Sequence, residues 1–401
     1  MTMSELGTVD PTSADYWLDV NGTLAPLREA APVAHSTIGL YEILRHEHCE
    51  KFLRDQTMQT ALQSMLTNQG IIEGPLHDWW TLIMNNHEGA EHSRIRTLVG
   101  RAFTPREADK LRADMRATAH RILDDLPLGE PVDLFETYCH RFPLEVMCDT
   151  LGVPASDHHL VEQWTGTVGI AFSPVIPPET LTEINAAMAD FNDYSSDLID
   201  RCRANPQDNL LGALVSAEES GDRLSRAELQ ALIVNLLIGG HDTGKSLLSI
   251  GIWLLAAHPD ELAKLRADPT LIRSAVEEIA RYESPISGVP RINTTETSVD
   301  DYVIPAGSYF TMSVPSANRD PRRFTNPDRF DIARADNRHL SFGQGVHHCV
   351  GANIARAEMH EALGVLFDRC DVTPGIDAPT WVPFAAVRRI EALPATLTAR
   401  G

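Results

Sequence analysis

Apolar residues recur at helical spacing along most of this chain. The pattern predicts helices over residues 41–53, 91–102, 105–126, 131–151, 178–204, 226–257, 259–268, 271–283 and 352–367. Strand patterns are fewer. Residues 302–304 and 309–314, joined by the turn Pro305-Ala306-Gly307, read as a hairpin, and short apolar pieces near the carboxyl end add a further small sheet. The expected fold class is mainly α with small β-sheets.

The 226–257 segment is the longest predicted helix, opened by Ser225 and Glu228 at capping-box spacing. At about 1.5 Å per residue it spans roughly 48 Å, and it is apolar on nearly all faces, so it belongs in the core. Its middle nevertheless reads Gly239-Gly240-His241-Asp242-Thr243. Two mid-helix glycines cost about 1 kcal/mol each relative to alanine. Either a neighbouring helix packs closely there, or a flat ligand lies against the missing side chains while Asp242 and Thr243 open the helix.

The 401 residues hold no linker, low-complexity tract or fixed-period repeat, and 43% are hydrophobic, so a single domain over 1–401 is expected. A net charge of −22 argues against a nucleic-acid partner, which needs a clustered basic face. The longest apolar stretch, 231–240, falls far short of the roughly 20 residues that span a bilayer. Residues 1–27 carry no basic-then-apolar leader, so a cytoplasmic protein with no membrane partner is expected. The six cysteines form no C-x-x-C pair, against a disulfide framework or zinc ribbon. His46-Glu47-His48-Cys49 has metal-ligand residue types, but positions 46, 48 and 49 of a helix cannot converge on one ion. A polar helix surface is the better reading.

One decapeptide carries the chemistry: Phe342-Gly343-Gln344-Gly345-Val346-His347-His348-Cys349-Val350-Gly351. Two glycines precede a single cysteine, and a helical pattern follows. Glycines let the backbone take positive φ and approach a flat object, and a helix N-terminus favours a thiolate. A lone thiolate suits a haem iron better than zinc.

The pattern F-G-x-G-x-H-x-C-x-G, continued as Ala352-Asn353-Ile354-Ala355-Arg356, resembles the haem-binding signature of the cytochrome P-450 family. Gly239 to Thr243 resembles the family's A/G-G-x-D/E-T motif, and the likeness runs from residues 27–33 to Leu393-Pro394, weakest over the first fifty residues. It implies the cytochrome P-450 fold, a helical triangular prism with haem between the long central helix and the helix after the cysteine loop. Cys349 is then the iron ligand, with Phe342, Gly343, Gly345, Gly239 and Gly240 around the cofactor. His92, Arg96, Arg291 and His347 hold its propionates. Asp242 and Thr243 handle protons. Glu278, Arg281 and Arg329 form a buried structural network.

The resemblance further implies heme b (iron protoporphyrin IX), O2, and a monomeric monooxygenase of bacterial type acting on a small, largely apolar organic substrate, by hydroxylation or epoxidation. Electrons come from ferredoxin and ferredoxin reductase, since no flavin or nicotinamide module is fused here. Two other readings stay open: the same fold doing peroxide-driven oxidation or oxidative coupling on a carrier-bound substrate, and a non-catalytic haem protein. Two departures stand out, Gly244 where many relatives have a second threonine, and the charge of Lys245. The substrate pocket is expected from loops at 61–88, 164–180, 286–290 and 382–387, with Phe172, Ile176, Leu236, Ile286, Val289 and Phe384. Trp79 and Trp80 read equally well as pocket wall or core.

Overall fold

The helix Arg226–Ala257 runs unbroken through the middle of the molecule, and Ser225 and Glu228 exchange both bonds of the capping box (3.2 and 2.7 Å). The computed structural model describes residues 6–173, 176–207, 209–219, 224–385 and 387–400; residues 174, 175 and 386, within two of the expected pocket loops, lie outside them. Against the central helix pack Arg141–Thr150, His158–Gly169, Leu181–Ala204 and Ala352–Arg369. The main hydrophobic core is formed there, with two smaller clusters under the amino-terminal sheet. Trp79 and Trp80 are core residues, their indole N–H groups donating to Ala231 O and Leu62 O.

Among the described residues no helix is long and apolar enough to cross a membrane, and no cluster of His, Cys, Asp and Glu could hold a metal ion. In the helix His46–Arg54 the ring of His46 meets Arg338 O, His48 lies 3.2 Å from Asp300, and the Cys49 thiol turns to Ile43 O. These side chains diverge, as a helix requires.

Three predicted elements come out differently. The start of the helix expected over 41–53 is a strand, Tyr41–Ile43, paired in the sheet, and the helix begins at His46. Residues 131–151 divide into a strand, Pro131–Asp133, a π-helical turn, Phe135–His140, and the helix Arg141–Thr150. Pro143 has no amide hydrogen for the Cys139 carbonyl, and the chain ahead of it winds wide. The predicted hairpin does not form. Tyr302–Ile304 pairs with Thr297–Val299, while Tyr309–Ser313 sits between Tyr41–Ile43 and Gly288–Asn293 in a six-stranded sheet. Asn293 is the cause: it donates to Pro305 O (2.9 Å), accepts from Ser308 N (2.7 Å), and so pins the turn to a different strand. The carboxyl-terminal sheet joins Cys370–Pro374, Pro394–Ala399 and Pro131–Asp133.

The expected structural network is present with one member exchanged. Glu278 and Arg281, on Ile272–Tyr282, are both fully buried and joined by two bonds of 2.7 and 2.8 Å. The second guanidinium on Glu278 belongs to Arg334 (3.0 Å), not Arg329. Asn326 takes a left-handed φ of 48°, and Arg329 N bonds back to Asn326 O. This turn aims the Arg329 carbonyl at Arg281 and Arg334 and leaves its side chain exposed. Arg281→Ala is therefore expected to cost about 3–5 kcal/mol, because Glu278 stays buried with less compensation. Arg329→Ala, which keeps the carbonyl, should change stability by no more than about 0.5 kcal/mol. Urea unfolding of both variants checks the exchange, and equal losses would return Arg329 to the network.

Candidate functional site

The cysteine loop is held from behind. Arg281 Nη1 donates to Asn318 O (2.9 Å), and the Asn318 side chain accepts from Leu340 N (2.8 Å) and donates to Ser341 Oγ (2.9 Å). Two further bonds close the loop, Gly343 N to Leu340 O and Cys349 N to Phe342 O, both 2.8 Å. Gly343 and Gly345 have φ of 66° and 71°, in the left-handed region. A Cβ on Gly345 would lie 2.4 Å from Leu53 O, so no other residue fits. Arg356 stacks over the Phe342 ring at 4.3 Å and is fixed by a two-point pair with Glu277 (2.6 and 2.9 Å).

Cys349 comes out of this frame accessible, whereas Cys49, Cys139, Cys148, Cys202 and Cys370 are all buried. Desolvation by the surrounding protein raises its thiol pKa above the ordinary value. The amides of Gly351 and Ala352 and the charges of Arg96 and Arg356 act in the opposite sense.

The central helix shows one accessible stripe. Asn235, Gly239 and Thr243, at i, i+4 and i+8, are half-buried, exposed and half-buried in a helix that is otherwise mostly buried. A Cβ on Gly239 would meet nothing within 4 Å. Gly240 differs from the expectation that it lies against a cofactor. Its Cβ would strike Met147 at 2.8 Å, because one residue further on turns the side chain about 100° round the helix. Gly244, the first departure, likewise faces Pro143, whose Cβ would lie 2.9 Å away. Gly240 and Gly244 are where Arg141–Thr150 crosses the central helix. The expected opening at Asp242 and Thr243 is also absent: the Thr243 hydroxyl donates to Gly239 O (2.7 Å) in an intact helix. Lys245, the second departure, forms a 2.6 Å ion pair with Asp242.

His92, His347 and Arg291 lie around an acid that was not anticipated, Glu88, and Arg96 lies beside His92. The His92 and His347 rings lie 4.3 Å apart, and His347 Nε2 is 3.1 Å from Glu88 Oε2. Glu88 also accepts from Thr60 N (2.5 Å). Burial opposes its ionisation, but the bonds from His347 and Thr60 outweigh that and hold its pKa below the usual value. His92 is pushed down to about 4 by burial, then by His347 beside it. Arg291 is buried and donates to Pro290 O; Arg96 is half-buried. Among the described residues no carboxylate lies within ion-pair distance of either guanidinium. The only hint of Glu88 in the sequence was its place one turn before His92.

An accessible single sulfur, a helix stripe without Cβ at Gly239, and one buried and one half-buried guanidinium lacking carboxylate partners suit a planar metal complex that carries carboxylates. Comparison with known proteins agrees. The cytochrome P450 family model matches residues 160–385. Vitamin D(3) 25-hydroxylase of Pseudonocardia autotrophica is 33% identical over 100% of both chains. Mycinamicin IV hydroxylase/epoxidase of Micromonospora griseorubida is 39% identical over 71% of each. Among solved structures, P450BioI in complex with a hexadec-9Z-enoic acid ligated acyl carrier protein superposes with a TM-score of 0.88 at 28% identity, covering 96% of this chain and 100% of that one. The fold and site define a haem-dependent oxidoreductase. The chain belongs to the cytochrome P450 family, whose members use a small-molecule substrate and O2.

One acid beside the site gives a pH signature. Glu358, on Ala352–Arg369, is fully buried, its Oε1 has no hydrogen-bond partner, and burial pushes its pKa up to about 8. The unfolded chain ionises this group near the ordinary 4.5. Between those values the folded state binds more protons, so its contribution to stability falls as pH rises from about 4.5 to about 8 and is level above. Glu358→Gln is expected to remove that slope. Urea midpoints of variant and parent should diverge in the variant's favour from about pH 5 to about pH 8, and parallel midpoints would show that the carboxyl titrates normally.

Proposed function

We propose that the chain is a soluble, cytoplasmic, single-domain and monomeric monooxygenase of bacterial secondary metabolism, holding haem b through Cys349. The observation that carries this is the accessible Cys349 sulfur in a loop fixed to the Glu278–Arg281 pair. In this reading Arg96 and Arg291 bind the haem propionates by charge-assisted hydrogen bonds, with His92 and His347 as further donors. Phe342, Gly343 and Gly345 would shape the loop that holds the cofactor, and Gly239 would leave room for it beside the central helix. When bound, the haem supplies O2 activation and oxygen-atom transfer, which a thiolate ligand favours.

The chain's own residues manage protons and water. Thr243 gives its hydroxyl hydrogen to Gly239 O, so its lone pairs are left to accept a bond from a water on the accessible stripe. Asp242 supplies protons to that water as a general acid. Phe172, Ile176, Leu236, Ile286, Val289 and Phe384 bring no charge to the pocket, consistent with a small apolar substrate. Phe172 rests on Trp80 with ring centroids 4.8 Å apart. Hydroxylation or epoxidation is supported by the relatives' activities, with electrons from ferredoxin and its reductase. A carrier-bound substrate is the second reading, favoured by the acyl-carrier complex of P450BioI. Titrating the Soret band with free small molecules and with acyl-carrier conjugates separates the two, and product formed with a surrogate ferredoxin pair tests the monooxygenase itself. A haem-loaded protein that forms no oxygenated product from any ligand it binds would leave ligand binding as the function.

Cys349→Ser is expected to abolish the strongly red-shifted Soret band of reduced, CO-bound haem thiolate, and a surviving band would move the ligand to another cysteine. Thr243→Ala should retain substrate binding and electron consumption while less of the current reaches product and more leaves as peroxide. Product and peroxide per reducing equivalent are the readout, and unchanged coupling removes the hydroxyl from the mechanism.

A further inference from the structure

Asparagine is a poor residue for the interior of a core helix, because its amide competes for backbone groups and adds nothing to apolar packing. Asn235 nevertheless sits inside the central helix, between buried Val234 and buried Leu236. It shares the accessible stripe with Gly239 and Thr243, one and two turns further on. Gly239 has open space where a Cβ would stand, so the face that carries Asn235 borders a void rather than a packed neighbour. The Asn235 amide is also unclaimed. Asn185, in Leu181–Ala204, turns back on its own helix and donates to Leu181 O (3.1 Å). The matching acceptor for Asn235 is Ala231 O, and both lone pairs of that carbonyl are taken. One accepts the helical bond from Asn235 N, the other the indole N–H of Trp79 (3.2 Å). Among the described residues no hydrogen bond is made by the Asn235 side chain.

Trp79 sets a limit on the same face. Ala231 is the preceding position of the stripe, one turn before Asn235, and it is buried where the indole docks. Phe172 meets the Trp79 ring edge-on at 6.1 Å and leans on Trp80, so this aromatic cluster closes the stripe at that end. The open length runs from Asn235 to Thr243. Eight residues at about 1.5 Å each make it roughly 12 Å.

We infer that Asn235 is a specificity-determining residue, which hydrogen-bonds a hydroxyl or carbonyl oxygen at the end of the substrate remote from the oxidised carbon. This rests on the monooxygenase reading and on Thr243 marking the reacting end. The amide serves either oxygen: Nδ2 donates to a carbonyl, and Nδ2 or Oδ1 engages a hydroxyl. Burial of an apolar body is non-directional, so among the apolar side chains of the pocket this one amide decides which end of the substrate faces Thr243. The substrate class is then an elongated, mostly hydrocarbon molecule with one terminal oxygen function, its body spanning about 12 Å of the helix face.

Three matched probes test the assignment on the holoenzyme: 4-cyclohexylcyclohexanol, 4-cyclohexylcyclohexanone and bicyclohexyl, titrated by calorimetry and by Soret shift. The alcohol and the ketone should bind about fivefold more tightly than the hydrocarbon, the measure of one neutral hydrogen bond. Asn235→Leu should erase that difference. It should also raise the urea midpoint, because leucine is the better helix former and no internal bond is lost. Asn235→Ala repeats the test with a smaller side chain, should leucine crowd the site. With a surrogate redox pair the parent should oxidise the ring remote from the oxygen, and the variants should scatter product over both rings. Equal affinity of the parent for all three probes overturns the assignment, as does a preference that survives both substitutions. A fall in urea midpoint in both variants would give the amide to the fold instead. A three-ring homologue of the alcohol that binds as tightly as the two-ring compound overturns the length limit. Product without positional preference counts against Asn235 alone, whereas selective binding with no product counts against the monooxygenase reading.

Discussion

The buried pair of Glu278 and Arg281 is the contact on which the site depends. Two charges taken wholly out of water cost several kcal/mol each unless every donor and lone pair finds a partner. Here they do. Glu278 accepts from Arg281, Arg334, Asn337 and Asp331 N, and Arg281 spends its remaining donors on the carbonyls of Asn318, Pro327 and Arg329. Those carbonyls belong to loops with little hydrophobic reason to be where they are. The pair fixes them by geometry, and Asn318 passes that fixation to Leu340 and Ser341, the root of the cysteine loop. The result is directional. A hydrophobic contact would have held the loop near the core, but a forked guanidinium sets its orientation.

The central helix solves a different problem, carrying two glycine requirements on two faces. Gly239 leaves one face open, while Gly240 and Gly244, four apart, let Arg141–Thr150 come close on the other. The close-packing reading holds for Gly240, while Gly239 keeps the space that the ligand reading requires. Pro143 joins these facts. It crowds position 244, which leaves no room for a side chain there, and it widens the preceding turn so that His140 reaches His241. One proline in one helix thus bears on packing and on the contact between two histidine rings beside it.

What could be read from the sequence was whatever depends on local spacing. The long helices, the capping box at Ser225 and the positive-φ glycines before Cys349 all follow from residue type and period, and all are present. Interactions decided by distant residues were not legible. The hairpin failed because Asn293, outside it, captures its turn. Arg329 failed because a turn at Asn326 decides whether a side chain or a carbonyl faces inward. Glu88 escaped notice because an acid among expected anion-binding groups has no motif of its own. Lys245 could be marked as odd, but its partner could not be chosen without the fold.

Buried cations separate scaffold from site in this strongly acidic chain. Arg281 has Glu278, Arg388 has Glu283, and Lys245 has Asp242, so each is satisfied within the protein. A buried guanidinium without a carboxylate is costly to maintain, and with 56 acidic residues available its isolation is not for want of anions. Arg291 is in that position and half-buried Arg96 shares it in part; the acid near Arg291 is Glu88, which His347 already engages, and Arg96 has His92 beside it. Burial lowers the pKa of each, so the protein leaves their charge under strain that a bound carboxylate would relieve. A ligand that carries carboxylates would supply the missing counter-charge. That requirement favours a propionate-bearing ring over any neutral occupant of the same space, and it is independent of the cysteine that would bind its metal.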